Sequence, residues 1–154
     1  MNFKVVSYQP EHLLAIDPRD YEAHYFSFLH NLEFYSKAVG FIDTSWTGML
    51  DGKPVICAGT IPCHPGVGEV WLVFSTAYGV EKPSRLWLET FKMISFGLEQ
   101  QLEVNKQFHR LQTAIDVDFH PGIRFAERLG FSNEVTIKQY APDKKDFYRF
   151  GRTA

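Results

Sequence analysis

A chain of 154 residues suits one domain, residues 1–154, long enough to bury roughly two-thirds of the surface its unfolded form exposes. It is 45% hydrophobic and 22% charged, with a net charge of −2 and no long Lys/Arg run, which excludes a nucleic-acid binder that works by phosphate neutralisation. Residues 1–8 form no signal peptide and no apolar stretch is long enough to span a bilayer, so neither a membrane nor a nucleic-acid partner is expected.

Residues 3–8 read as a first strand, and residues 10–16 as a short helix with proline early in it. From Arg19 to about Lys37, Tyr21, Tyr25, Phe28, Leu32 and Tyr35 hold a helical stripe, widened by Phe26 and Phe34, and Gly40 fits just past its end. That aromatic face packs a core or walls a ligand cleft. Residues 45–50 and 54–61 are strands joined by Asp51-Gly52, the strongest short-range hairpin signal. Residues 62–68 are a second, turn-rich connection.

Two cysteines are too few for a disulfide framework. Cys57, Cys63 and His64 invite a metal reading, but a metal needs three or four convergent ligands, and no metal is expected. Two small buried or half-buried residues in a reducing compartment are the other reading, which implies the cytoplasm.

Residues 66–100 organise the chain. Val70-Trp71-Leu72-Val73-Phe74 is a continuous apolar run, as a strand buried on both faces requires. Residues 77–82 read as a turn in which Gly79 is free to take a positive φ, and Pro83 fits the first helical position. Trp87, Phe91, Ile94, Leu98 and Leu102 then form one helical stripe. A strand running into a helix N-terminus is where α/β proteins hold phosphates, because orphan N–H groups and the macrodipole converge there.

Residues 111–117 form another strand, with Asp116 and Asp118 on one side near its end, free to orient His120 or to face water. Pro121 opens a helix whose apolar side is Ile123, Phe125, Ala126 and Leu129, ended by Gly130. Residues 135–140 and 147–150 are two last strands around Pro142, Asp143, Lys144 and Lys145. The order predicts an α/β fold, a mixed sheet with helices on both faces. No Ser-His-Asp signature, P-loop, paired glycosidase carboxylates or Rossmann fingerprint appears.

The element order resembles the GNAT-like (acyl-CoA N-acyltransferase) fold. Phe125-Ala126-Glu127-Arg128-Leu129-Gly130-Phe131 is similar to that family's helix ending in leucine-glycine-phenylalanine before its last hairpin. Met49 to Val55 and Gly68 to Val73 sit where it has its second to fourth strands. A closer resemblance is to the acetyltransferase-like internal virion protein A family of short-tailed phages, through Gly130-Phe131 and Phe147-Tyr148-Arg149-Phe150.

The resemblance implies acetyl-CoA as cofactor, its pantetheine arm paired with the backbone of Val73, Phe74, Ser75 and Thr76, and its phosphates near Lys82, Ser84 and Arg85. The family's phosphate loop is Gln/Arg-x-x-Gly-x-Gly/Ala; here only Gly79 is present. Glu69 falls where the fold often places the catalytic carboxylate. Ala126 falls where its usual tyrosine acid stands, leaving His120 as the nearby proton donor. Two functions follow: an N-acyltransferase acting on a small amine or a protein amine, or an inactive virion or host-interaction protein that keeps the fold, with a phage or host protein as partner. The first places the chain in the cytoplasm, the second in host cytoplasm or virion.

Overall fold

The computed structural model describes residues 1–41, 43–79 and 84–154. In chain order these form β1 (Phe3–Ser7), α1 (Pro10–Ala15), α2 (Asp20–Phe26), α3 (Leu32–Ala38), β2 (Ser45–Leu50), β3 (Lys53–His64) and β4 (Val67–Phe74). There follow α4 (Arg85–Glu99), a π-helical turn (Gln100–Val104), β5 (Arg110–Asp116), α5 (His120–Arg128), β6 (Ser132–Ile137) and β7 (Phe147–Thr153). The strands make one seven-stranded sheet in the order β1-β2-β3-β4-β5-β7-β6, antiparallel at β1–β2, β2–β3, β5–β7 and β6–β7 and parallel at β4–β5. This is the mixed sheet that the element order predicts. No helix among the described residues is long and apolar enough to cross a membrane.

The chain falls into two compact units, Met1–Ile61 with Trp71–Gly97, and Pro62–Val70 with Leu98–Ala154. In the first, Tyr8, Leu13, Ile16, Val39, Cys57, Trp71 and Val73 are packed together, with Phe26, Tyr35 and Ile61 against them. Part of the aromatic stripe thus serves the core. The single helix expected over residues 19–37 is two helices. Ser27 returns its hydroxyl to the His24 carbonyl (2.5 Å), and Asn31 accepts the N–H of Phe34 (3.0 Å) as the cap of α3. Both side chains offer the backbone an alternative to continuing the helix, and periodicity does not register it. Gly40 does follow α3, but for close approach: a Cβ there would lie 2.8 Å from the Tyr8 ring. The Asp51-Gly52 hairpin is present, with both residues at positive φ.

His12 ties three elements of this unit. Its Nδ1 accepts the N–H of Gln9 (3.1 Å) and lies 2.8 Å from the Thr47 hydroxyl, which is itself 3.8 Å from the Cys57 sulfur. An Nδ1 that accepts must carry no proton, and burial lowers the pKa of His12 against the opposing pull of Glu11. Burial also pushes the Cys57 thiol up to about 12, so it is an inert filler of the core.

In the second unit the turn expected over residues 62–68 shrinks to Pro65 and Gly66. β3 runs on to His64, and Gly66 takes φ +81. Pro62 lies beyond Gly59, the last β3 partner of β2, where a missing N–H costs nothing. α5 starts at His120 with Pro121 in its first turn and ends at Gly130, φ +89, from which Phe131 returns to the core at 5% exposure.

β7 lies between β5 and β6, yet Arg110 of β5 pairs with Glu134 of β6 across it. Two features permit this. A bulge places Glu134 outside the β6–β7 register, between Asn133 and Val135, and Gly151 of β7 carries no side chain beneath the pair. A Cβ on Gly151 would stand 2.5 Å from Glu134 Oε1 and 2.7 Å from Arg110 Nη1.

Gly151→Ala is therefore expected to push the Arg110–Glu134 pair aside and to cost about 1 kcal/mol or less, the worth of a partly exposed ion pair, read from the urea midpoint; a loss of about 3 kcal/mol would show that the pair cannot move. His12 gives a second test. Its folded pKa is depressed, so the unfolded chain binds more protons as pH falls below the ordinary value of 6.5. The stability His12 contributes is fully present above that value and is lost as pH falls through the lowered folded value. The urea-midpoint advantage of wild type over His12→Ala should shrink between pH 8 and pH 5; an advantage equal at both would mean that Nδ1 does not need to be unprotonated.

Candidate functional site

Three groups of candidate residues sit at element ends. The first is the start of β4. Its parallel ladder with β5 matches Val67 with Arg110, Gly68 with Leu111 and Glu69 with Gln112. Side chains in register stand on the same face, so Glu69 meets Gln112, whose Nε2 donates to Glu69 Oε2 (3.1 Å). Arg149 of β7 spans both carboxylate oxygens through Nη1, at 3.1 and 3.0 Å. Gln112 Oε1 in turn accepts from Arg110 Nε (3.0 Å), and Arg110 pairs with Glu134, which lowers the pKa of Glu134 and raises that of Arg110. Glu69 is partly exposed, and a water or an amine reaching it must share it with Arg149 and Gln112.

The second group is the end of β4. Val73 and Phe74 are buried in the strand, and Ser75 and Thr76 follow it. Ser75 donates its N–H to Val55 of β3 (2.9 Å), Thr76 to the Asp17 carbonyl (2.9 Å), Ala77 to the Ser75 hydroxyl (3.1 Å) and Tyr78 to the Ser75 carbonyl (3.1 Å). No row of free N–H groups of the kind a phosphate nest presents remains over these four residues. Gly79 does not take a positive φ. Lys82 and Pro83 lie outside the described residues. Ser84 accepts the Trp87 N–H on its hydroxyl (3.3 Å), the bond of an N-cap, and Arg85 is exposed in the first turn of α4. The Tyr78 hydroxyl pairs with buried Thr90 (2.6 Å) on the inner side of α4, and burial pushes its pKa up to about 12.

The third group joins β5 to α5. Asp116 ends β5 and Asp118 lies in the turn after it, its N–H donated to Asp116 Oδ1 (2.9 Å); the two come together on Lys145 rather than on His120. Lys145 Nζ lies 3.2 Å from Asp116 Oδ2 and 3.0 Å from Asp118 Oδ2. Those contacts, the one with Asp118 first, raise its pKa. His120 is exposed at the start of α5, bonded through its N–H to the Asp118 carbonyl (3.1 Å), and no hydrogen bond joins its ring to Glu69. Among the described residues no three His, Cys, Asp or Glu side chains are grouped to hold a metal.

Sequence reasoning named Glu69 but not its partners. Arg149 follows Glu69 by 80 residues and Gln112 by 43, and only the charge of Arg149 within the aromatic run Phe147-Tyr148-Arg149-Phe150 marks it.

The chain is similar over nearly its whole length to solved acetyltransferases. A GNAT-family acetyltransferase from Bacillus anthracis superposes with a TM-score of 0.72 at 11% identity, covering 99% of this chain and 95% of that one. The ribosomal-protein-S18-alanine N-acetyltransferase of Escherichia coli gives 0.68 at 14%, covering 99% and 94%, and a spermidine N-acetyltransferase variant from Vibrio cholerae gives 0.68 at 8%, covering 98% and 93%. No family model matches the chain, and no curated protein matches it. The fold is that of the GNAT acyl-CoA N-acyltransferases.

The Ser84 cap has a consequence for stability. Removing an N-cap hydroxyl costs about 1 kcal/mol, so Ser84→Ala should melt lower than wild type with no ligand present, and Ser84→Asp should recover most of the loss. A Ser84→Ala variant that melts like wild type would free this hydroxyl for a ligand alone.

Proposed function

We propose that this protein is an acyl-CoA N-acyltransferase, with acetyl-CoA as its cofactor substrate and a small amine or a protein amine as acceptor. The carrying observation is the short parallel ladder: it joins Val67–Glu69 to Arg110–Gln112 and takes in none of Val70, Trp71, Leu72, Val73 or Phe74. Two amide groups of a pantetheine arm can pair with a strand edge as another strand would. In this reading the arm lies along β4 towards Ser75 and Thr76, and Arg85, with Lys82 and Ser84, meets the phosphates. The solved neighbours act, by their names, on spermidine and on a ribosomal-protein alanine, which supports an amine acceptor of either size.

The reaction needs little from the side chains. The amine nitrogen attacks the thioester carbonyl, the N–C bond forms and the C–S bond breaks. Glu69 takes the proton lost by the amine, and His120 supplies one to the departing thiolate. Arg149 and Gln112 fix the Glu69 carboxylate in place.

A second reading keeps the fold without the chemistry, as an interaction protein for a phage or host partner. It is favoured by the commitment of Glu69 to Arg149, of Ser84 to its helix and of the Thr76 N–H to Asp17. Thermal unfolding with acetyl-CoA separates the two. Ligand at about a hundred times its Kd stabilises a fold by roughly 2.7 kcal/mol, a rise of several degrees for this size. We expect that rise, its reduction in Arg85→Ala, and in Glu69→Gln an unchanged rise with kcat lower by about 100-fold or more. No rise at millimolar acetyl-CoA would overturn the transferase reading in favour of the second.

A further inference from the structure

At the end of β4, the edge that faces away from β3 carries a contact made by this chain itself. Successive N–H groups of an extended chain point to opposite edges. Ser75 gives its N–H to Val55 of β3, so the N–H of Thr76 points the other way, and there the Asp17 carbonyl receives it at 2.9 Å. Pro18 and Ser75 form an isolated antiparallel bridge. The Thr76 hydroxyl donates to Asp17 Oδ2 at 2.8 Å, and the Arg19 guanidinium lies 4.8 Å from the centre of the Phe74 ring. Glu22 holds Arg19 from behind, with both carboxylate oxygens within hydrogen-bond reach of its Nε. The junction between α1 and α2 therefore sits on β4 as a one-residue strand of this chain's own.

We infer that residues 17–19 are a strap that competes with the pantetheine arm for the end of β4, so that acyl-CoA binds only as the strap lifts. The inference rests on the proposed acyl-CoA reading and adds a control to it. Pro18 and Ser75 stand opposite each other without bonding one another, and the contacts that flank them, the Thr76 bond, the Asp17 carboxylate and the Arg19 stack, contribute to the hold of the strap. A pantetheine amide carbonyl that takes over the Thr76 N–H replaces that strap bond, while the Asp17 and Arg19 side-chain contacts still favour the strap.

A locked strap tests this. Residues opposite each other without mutual hydrogen bonds in an antiparallel pair have Cα atoms about 4.5 Å apart, within disulfide range. Pro18→Cys with Ser75→Cys, in a Cys63→Ser background, should form a disulfide, and acetyl-CoA binding is read by thermal shift and calorimetry before and after reduction. The oxidised form should bind at least tenfold more weakly than the same protein reduced. Asp17→Ala, which needs no cross-link, should bind acetyl-CoA several-fold more tightly than wild type. Equal binding by oxidised and reduced forms, or no change in Asp17→Ala, would overturn the strap while leaving the acyl-CoA reading intact. If wild type, Asp17→Ala and the reduced pair all fail to bind at millimolar acetyl-CoA, the acyl-CoA reading falls and the strap loses its role with it.

Discussion

A β-strand carries its donors on two edges, and the two edges of β4 are used differently. One edge is given to β3, as the bond from Ser75 to Val55 shows at its end. The other is shared between a three-residue parallel ladder at Val67–Glu69 and the single bridge at Pro18. In the acyl-CoA reading, an arm that pairs as a strand needs an edge rather than any particular side chain.

The side chains around Glu69 obey the same requirement that buried or half-buried polar groups be satisfied. Arg149, Gln112 and Arg110 form a chain of donors from β4 across β5 and β7, ending at Glu134 on the bulge of β6. The pairs are partly exposed, and their geometric order comes from the strands beneath them: the β4–β5 register, the missing side chain at Gly151 and the extra residue in β6. If Glu69 acts as a base, these donors fix where its oxygens point. If the protein has no chemistry, they are a polar surface ladder, and the same geometry serves stability alone.

Much of the fold was legible because its signals are local. The apolar run at residues 70–74, the Asp51-Gly52 turn, and Leu129-Gly130-Phe131 at the end of α5 each state their structure within a few residues. The break between α2 and α3 was not, because Tyr21, Tyr25 and Phe28 keep a helical spacing up to the break; the two side chains that stop and restart the helix, Ser27 and Asn31, are ordinary polar residues on its face. The candidate site was less legible still. Glu69 is visible as a charge before an apolar strand, but its partners are set by which strands become neighbours. Asp17 and Pro18 lie between the helix expected over residues 10–16 and the one expected from Arg19, and nothing local tells that this junction rests on Ser75.

The same asymmetry fits a fold shared with solved acetyltransferases at low sequence identity. If the cofactor is held by main-chain groups, selection acts on where strands pair and where they stop, and residues at those positions are free to change. On that reading the fate of a few N–H groups matters more than the presence of a motif, and the donor that the strap proposal singles out is the N–H of Thr76, which bonds the Asp17 carbonyl. A group already paired within the protein costs a ligand the bond it must replace, so binding, where it occurs, is set by the difference between the two partners and not by the strength of either.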